Sequence, residues 1–240
     1  MAQKSSPPSP ETSLKLLRFA DRAQLQSAVE QRLQQVLVTP TADAPAIMLS
    51  GGTTPIPAYL ELAKRGLTPA PGLTLLFSDD RYVPSDSDQS NYHQTRPLFT
   101  SLGLREDQVL RIRTELPLAD ATADSERRLT VLLAEGRHIT LGLLGLGADG
   151  HTASLFSTAD LQRAHEKLAV SVHRPDGRDA VSVTPTVLER VEQLIFVVAG
   201  ADKRAALGAL LRRATDLTAW QAVRGCQAVE VWADEAALTK

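Results

Sequence analysis

The sequence predicts an α/β fold: a Rossmann-like, doubly wound and mostly parallel sheet with helices on both faces. Three observations carry that prediction. Short apolar runs alternate along the chain with longer stretches of helical periodicity. The runs AIML (46–49), LTLLF (73–77), ITLGLLGL (139–146) and LIFVVAG (194–200) are continuously apolar, as parallel strands covered on both faces are. Each of the four ends in a polar turn marked by glycine or aspartate. In such sheets ligands bind outside the carboxyl ends of the strands, so four polar exits are expected to converge on one crevice.

Element by element, LKLLRF (14–19) is a candidate first strand. Asp21 followed by Gln24 forms a capping-box start, and Leu25, Val29, Leu33, Val36 and Leu37 keep helical spacing, which predicts a helix over 21–38. TPTADAP is a loop, and AIML then enters SGGTTP. Thr54 as N-cap and Pro55 at the first helical position open a helix over 55–65. The strand LTLLF runs into SDDRYVP, and the polar loop PSDSDQSN leads to a helix around 90–102 that contains Pro97, a kink signal. VLRI (109–112) is a weak strand, 119–135 a helix, and 139–146 the most apolar strand. VSVT (181–184) runs into Pro185, a helix start. After LIFVVAG a helix is expected from Asp202 to about Arg213, and AVEVWAD (228–234) is the last strand.

Composition narrows the functional classes. The chain has 240 residues, enough to bury a sizeable core, with 43% hydrophobic and 22% charged residues and a formal net charge of -2. That balance provides no global basic field for nucleic acid or an anionic membrane. A single cysteine, Cys226, excludes an intrachain disulfide and a cysteine-rich metal site. No apolar run approaches the roughly 18 residues of a membrane span. The polar, proline-rich MAQKSSPPSPETS is expected to be a disordered tail over 1–13, ahead of a single α/β domain over 14–240. There is no internal repeat and no linker that would divide that domain.

The strand exits carry the candidate chemistry. In SGGTTP, the two glycines let backbone N–H groups approach a ligand, and a helix start adds partial positive charge that favours phosphate. Read alone, the segment fits a plain strand–helix turn equally well, and it lacks the spacing of a Walker loop. In SDDRYVP, Arg81 offers a planar fork for phosphate or carboxylate, or a local ion pair with its neighbours. In GADGHTASLF, His151 sits beyond the longest apolar strand among small residues; an imidazole titrates near 6.5 in water and suits a general base. Asp149 stands two residues before it; an ordinary loop histidine is the alternative. A metal site is the weaker reading, since these are two ligands only, and His93, His138, His165 and His173 show no H-x-x-x-H spacing. In AGADKRAAL, Lys203 stands at a helix N-terminus, against the macrodipole, which a bound phosphate would offset; a solvated lysine is the alternative.

Taken together, LSGGTTPIPAY, FSDDRYVPSDSDQSNYHQTRPLF, LGLLGLGADGHTASLF and VSVTPTVLERVEQLIFVVAGADKRAAL resemble, in order, the four blocks of the 6-phosphogluconolactonase family, within the wider glucosamine-6-phosphate isomerase/deaminase superfamily. The resemblance covers nearly the whole chain from about residue 14. It implies hydrolysis of 6-phospho-D-glucono-1,5-lactone to 6-phosphogluconate, in the oxidative pentose phosphate pathway, with no metal and no organic cofactor. It implies that His151 is the general base and Asp149 the motif aspartate beside it. Ser50, Gly51, Gly52, Thr53, Asp79, Arg81, Asn91 and Lys203 are implied as substrate- and phosphate-binding positions. The continuation Thr152-Ala153-Ser154-Leu155-Phe156 resembles the lactonase branch rather than the deaminase branch, which typically continues Ile-Ala-Phe-Asn-Glu-Pro. Two positions depart from the pattern. Asp80 stands where the family often has glutamate, and Ala180 stands where it usually has an arginine, so Arg174 or Arg178 is a candidate for the missing phosphate contact. The expected partner is a small sugar-phosphate lactone, with no nucleic acid or membrane, and the expected state is a cytoplasmic monomer or weak homo-oligomer.

Overall fold

The computed structural model describes residues 12–40, 44–134 and 139–239. Most of the expected tail, part of the loop at 39–45, the last residue of the helix expected over 119–135, and His138 lie outside the described residues. In chain order the first elements are β1 (Ser13–Phe19), α1 (Arg22–Val38), β2 (Ala46–Leu49), α2 (Pro55–Ala63), β3 (Thr74–Phe77), β4 (Asp79–Arg81), α3 (Asn91–Ser101), β5 (Val109–Leu110), α4 (Leu118–Ala134) and β6 (Ile139–Leu144). They are followed by α5 (Thr158–Arg163), β7 (Ala169–His173), β8 (Asp179–Val183), α6 (Pro185–Leu188), β9 (Val191–Val198), α7 (Arg204–Leu211), α8 (Thr218–Val223), β10 (Ala228–Asp234) and α9 (Glu235–Leu238).

Among the described residues, seven strands pair in the order β1-β10-β9-β6-β2-β3-β5, and every pairing is parallel. The continuous apolar runs have the predicted cause, because successive residues feed opposite faces. Ile47, Leu49, Leu75, Phe77, Leu141 and Leu143 pack with the buried faces of α1, α2 and α3. Met48, Leu76, Phe196 and Val198 pack on the other face with α4, α6, α7 and α8. Strand order reverses between β2 and β6, neighbours from which the chain runs out toward opposite edges. The crevice beyond such a switch point is where an open α/β sheet binds its ligand.

The second sheet is the main departure from the sequence reading. It is antiparallel, with order β4-β8-β7. SDDR therefore leaves the main sheet as a strand rather than a loop. Ser78 N still donates to Leu49 O (2.8 Å), but Ser78 O accepts from Val183 N (2.9 Å), and Asp79 then pairs with Ser182. The run near 181 belongs to this sheet, and its partner over Ala169–His173 was not expected. The two flank Arg174-Pro175-Asp176-Gly177-Arg178, where Arg174 N donates to Arg178 O (2.7 Å) and Gly177 sits at φ 81°. A Pro-Asp-Gly turn between two apolar runs is the hairpin signal that was available there.

Smaller differences have local causes. Thr54 is already helical (φ -94°, ψ -51°) and makes no side-chain cap, because the turn starts earlier, with Ile56 N donating to Gly52 O. Asp21 caps α1 as expected, but Gln24 Oε1 accepts from Ala20 N rather than from Asp21. α3 continues through Pro97. β1 begins at Ser13, and Thr12 is buried with its hydroxyl donating to Arg224 O.

Candidate active site

A cavity of about 160 Å³ opens at the switch point, between the ends of β2 and β6. It is lined by Ser50, Gly51, Gly52, Asp79, Arg81, Asn91, His151, Arg174 and Lys203, together with Gly145, Leu146, Gly147 and Ala153. Thr53, Asp149 and Arg178, also singled out from sequence, do not line it.

The β2 side is held from beneath. Tyr59, fully buried on α2, donates its hydroxyl to Ser50 O (3.0 Å) and accepts from Ser50 N (3.3 Å). Burial pushes the Tyr59 phenol well above its usual range. A methyl group on Gly51 would lie 1.9 Å from Asn91 Oδ1, so this glycine is required by the packing of a side chain as well as by any ligand.

The β4 side is organised by Asp80, which faces away from the cavity. Its carboxylate accepts from Arg81 N (2.9 Å), Asn91 N (2.7 Å), Tyr92 N (3.1 Å) and Ser90 Oγ (2.9 Å). This ties the start of α3 to β4. Asn91 then donates to Asp79 O (2.8 Å) and accepts from Arg81 Nη1 (2.6 Å), so the arginine is aimed by an asparagine that Asp80 has placed. Burial pushes the Asp80 carboxyl up to about 6, against the pull of the hydrogen bonds from Tyr92, Asn91 and Ser90. A carboxyl raised in the folded state contributes stability that is complete below the unfolded value near 3.8 and lost as pH rises through about 6. The unfolding free energy of the parent relative to Asp80→Asn is therefore expected to fall by about 2 kcal/mol between pH 4 and pH 7. Denaturant titrations of both proteins at the two pH values measure it; a constant difference would refute it.

On the β6 side the loop closes on itself. Gly147 N donates to His151 O (2.9 Å) and Gly150 N to Gly147 O (3.0 Å). His151 Nδ1 lies 2.5 Å from Asp149 Oδ1. With Nδ1 directed at a carboxylate, Nε2 is the nitrogen left to exchange a proton with a ligand. Partial burial pushes the Asp149 carboxyl up, but the hydrogen bond and charge of His151 outweigh it and hold it below its ordinary value.

The fourth side comes from the second sheet. Arg174, at the end of β7, donates Nη1 to Ser154 Oγ (3.1 Å), and Ser154 Oγ donates to Asp79 Oδ2 (2.6 Å). Ser78 Oγ donates to the other Asp79 oxygen (2.9 Å). Ala180 is fully buried opposite Arg81 in the β4–β8 ladder. Of the two candidate replacements, Arg174 reaches the cavity, whereas Arg178 is half-exposed and lies 3.8 Å from Asp176. Lys203 stands immediately before α7, with Nζ 3.3 Å from Asp202. Three cations and one already satisfied carboxylate thus face one small cavity, which favours an anionic ligand. Among the described residues, no group of three or more His, Cys, Asp or Glu side chains is arranged to hold a metal ion. Sequence reasoning missed Tyr59, Ser78 and Ser154 as supports, because small or buried side chains scattered between motifs show no pattern of their own.

The family of glucosamine-6-phosphate isomerases and 6-phosphogluconolactonase matches residues 20–232. The 6-phosphogluconolactonase of a Synechocystis species is 34% identical over 176 residues, which span 71% of this chain and 72% of the relative. The Homo sapiens 6-phosphogluconolactonase is 33% identical over 207 residues, 80% of either chain. The crystal structure of 6-phosphogluconolactonase from Thermotoga maritima superposes with a TM-score of 0.74 at 25% identity, covering 93% of this chain and all of the other.

Proposed function

The chain belongs to the glucosamine-6-phosphate isomerase/6-phosphogluconolactonase family, and within that family we propose that His151 is the general base of lactone hydrolysis. The chain is an enzyme that hydrolyses 6-phospho-D-glucono-1,5-lactone to 6-phosphogluconate. What supports the role of His151 is its Nδ1 contact with Asp149 at 2.5 Å, beside a cavity that also presents Arg81, Arg174 and Lys203.

In this reading the phosphate is held by the three cations and by the amides of Gly51 and Gly52. That contact, remote from the reacting carbon, fixes the ring for attack. Nε2 of His151 takes a proton from water as the water oxygen bonds to the lactone carbonyl carbon. The carbonyl π electrons move to oxygen. As the tetrahedral intermediate collapses, the bond from that carbon to the ring oxygen breaks, and the imidazolium returns its proton to the leaving alkoxide. Asp149 keeps the imidazole in the tautomer with a free Nε2 and stabilises the imidazolium. The enzyme acts in the cytoplasm as a single α/β domain that takes in Thr12 and Ser13 as well as the expected 14–240, a monomer or weak homo-oligomer, with no nucleic-acid partner.

The test is lactone generated in situ, which the protein should consume above the spontaneous rate, releasing 6-phosphogluconate. Glucosamine 6-phosphate should yield no ammonia; its deamination instead would assign the chain to the other branch. Replacing Arg81, Arg174 or Lys203 singly by alanine should raise KM by about ten- to a hundredfold, the worth of a charged hydrogen bond, with kcat changed less. An unchanged KM in all three would refute the phosphate clamp.

A further inference from the structure

Phe156 lies outside the cavity lining but touches two residues that form it. The chain doubles back just after His151. Leu155 N donates to Thr152 O (3.0 Å), Thr152 and Leu155 form an isolated antiparallel bridge, and Ala153 adopts φ 49°. The return brings the Phe156 ring to 4.2 Å from the His151 ring, centroid to centroid, with the planes tilted by 36°. The guanidinium carbon of Arg174 lies 5.1 Å from the centroid of the same Phe156 ring. The backbone of Phe156 is anchored elsewhere, its N–H donating to Asp160 Oδ2 (2.9 Å), within the capping box of α5.

We propose that Phe156 is a positioning residue that sets the imidazole of His151 and the guanidinium of Arg174 against one aromatic surface, keeping base and phosphate clamp at a fixed separation. The inference rests on the roles assigned above to those two residues. The contact between His151 and Asp149 restrains one ring nitrogen, and Asp149 is itself largely exposed, so the imidazole plane needs a second restraint. A flat ring supplies it. Arg174 is held along its edge by Ser154 and by Asp176, 3.2 Å from Nε, while Phe156 supports it through a cation–π contact. The phosphate and the lactone carbonyl are separated by a fixed run of covalent bonds, so a change in the spacing of their two partners misaligns one of them.

The test compares Phe156→Leu with Phe156→Tyr in the lactone assay, together with thermal melts. Phe156→Leu keeps apolar bulk without the flat face. It should lower kcat by roughly tenfold and raise KM by several-fold, while Phe156→Tyr stays near the parent. In an Arg174→Ala background Phe156→Leu should no longer raise KM but should still lower kcat. In a His151→Ala background it should lower the residual kcat no further but should still raise KM. If Phe156→Leu melts early, Phe156→Met repeats the comparison. Parent kinetics in Phe156→Leu, or losses identical in both backgrounds, would overturn the proposal and leave the base assignment standing. Near-parent turnover in His151→Ala alone would overturn the base assignment instead.

Discussion

His151→Ala is expected to lower kcat by about 10²–10⁴-fold, the usual worth of a positioned base, while 6-phosphogluconate binds with little change in affinity. The separation of the two effects follows from the cavity. The groups assigned to phosphate, Arg81, Arg174 and Lys203, come from β4, the end of β7 and the turn before α7, and none makes a hydrogen bond or ion pair to the imidazole. Removing the imidazole therefore leaves their placement intact. A lactone is an activated ester, so some turnover should remain from binding and orientation alone. Steady-state kinetics and calorimetric titration with 6-phosphogluconate measure the two quantities. Near-parent kcat would show that another group activates water, and a large loss of affinity would show that His151 holds the product rather than attacks through water.

Gly147→Ala is expected to come close to that loss without touching a catalytic side chain. A methyl group there would lie 2.1 Å from His151 Nδ1, 2.3 Å from Asp149 Oδ1 and 2.4 Å from His151 Cε1. It would occupy the space in which the histidine and aspartate meet. Both side chains sit in a partly exposed loop and can swing away, so the protein should fold with only a modest fall in Tm. The imidazole would then be displaced by an ångström or more, a misplacement that can cost on the order of a hundredfold in rate. The double variant Gly147→Ala/His151→Ala should be no slower than His151→Ala, because both act through the same ring. A single variant with parent kcat would mean that the loop accommodates the methyl group while keeping the contact between His151 and Asp149. The reason for this glycine was not legible in the sequence, where it counted as a turn residue; the clash is with side chains two and four positions later in a loop whose path is not encoded in any periodicity.

The same division runs through the whole molecule. The parallel sheet, its order of strands and helices, and the four polar exits were readable from residues 46–49, 73–77, 139–146 and 194–200, because burial on both faces and strand termination are local properties of a segment. His151, Arg81 and Lys203 were identifiable because they stand at those exits, and Asn91, at the start of α3, only through the resemblance of its block to the family. The antiparallel sheet escaped that reading, since β4 is three residues long and joins β8 about a hundred positions later. Which of the two arginines reaches the cavity depends on that sheet: the hairpin turn places Arg174 against Ser154 and Phe156 and sends Arg178 outward. The support of Asp79 by Ser154, 75 positions away in the chain, has the same origin. Local patterns of polarity specify which segments are strands, helices and exits. Pairings between distant segments specify which side chains at those exits meet, because only the folded path brings their atoms within hydrogen-bonding reach.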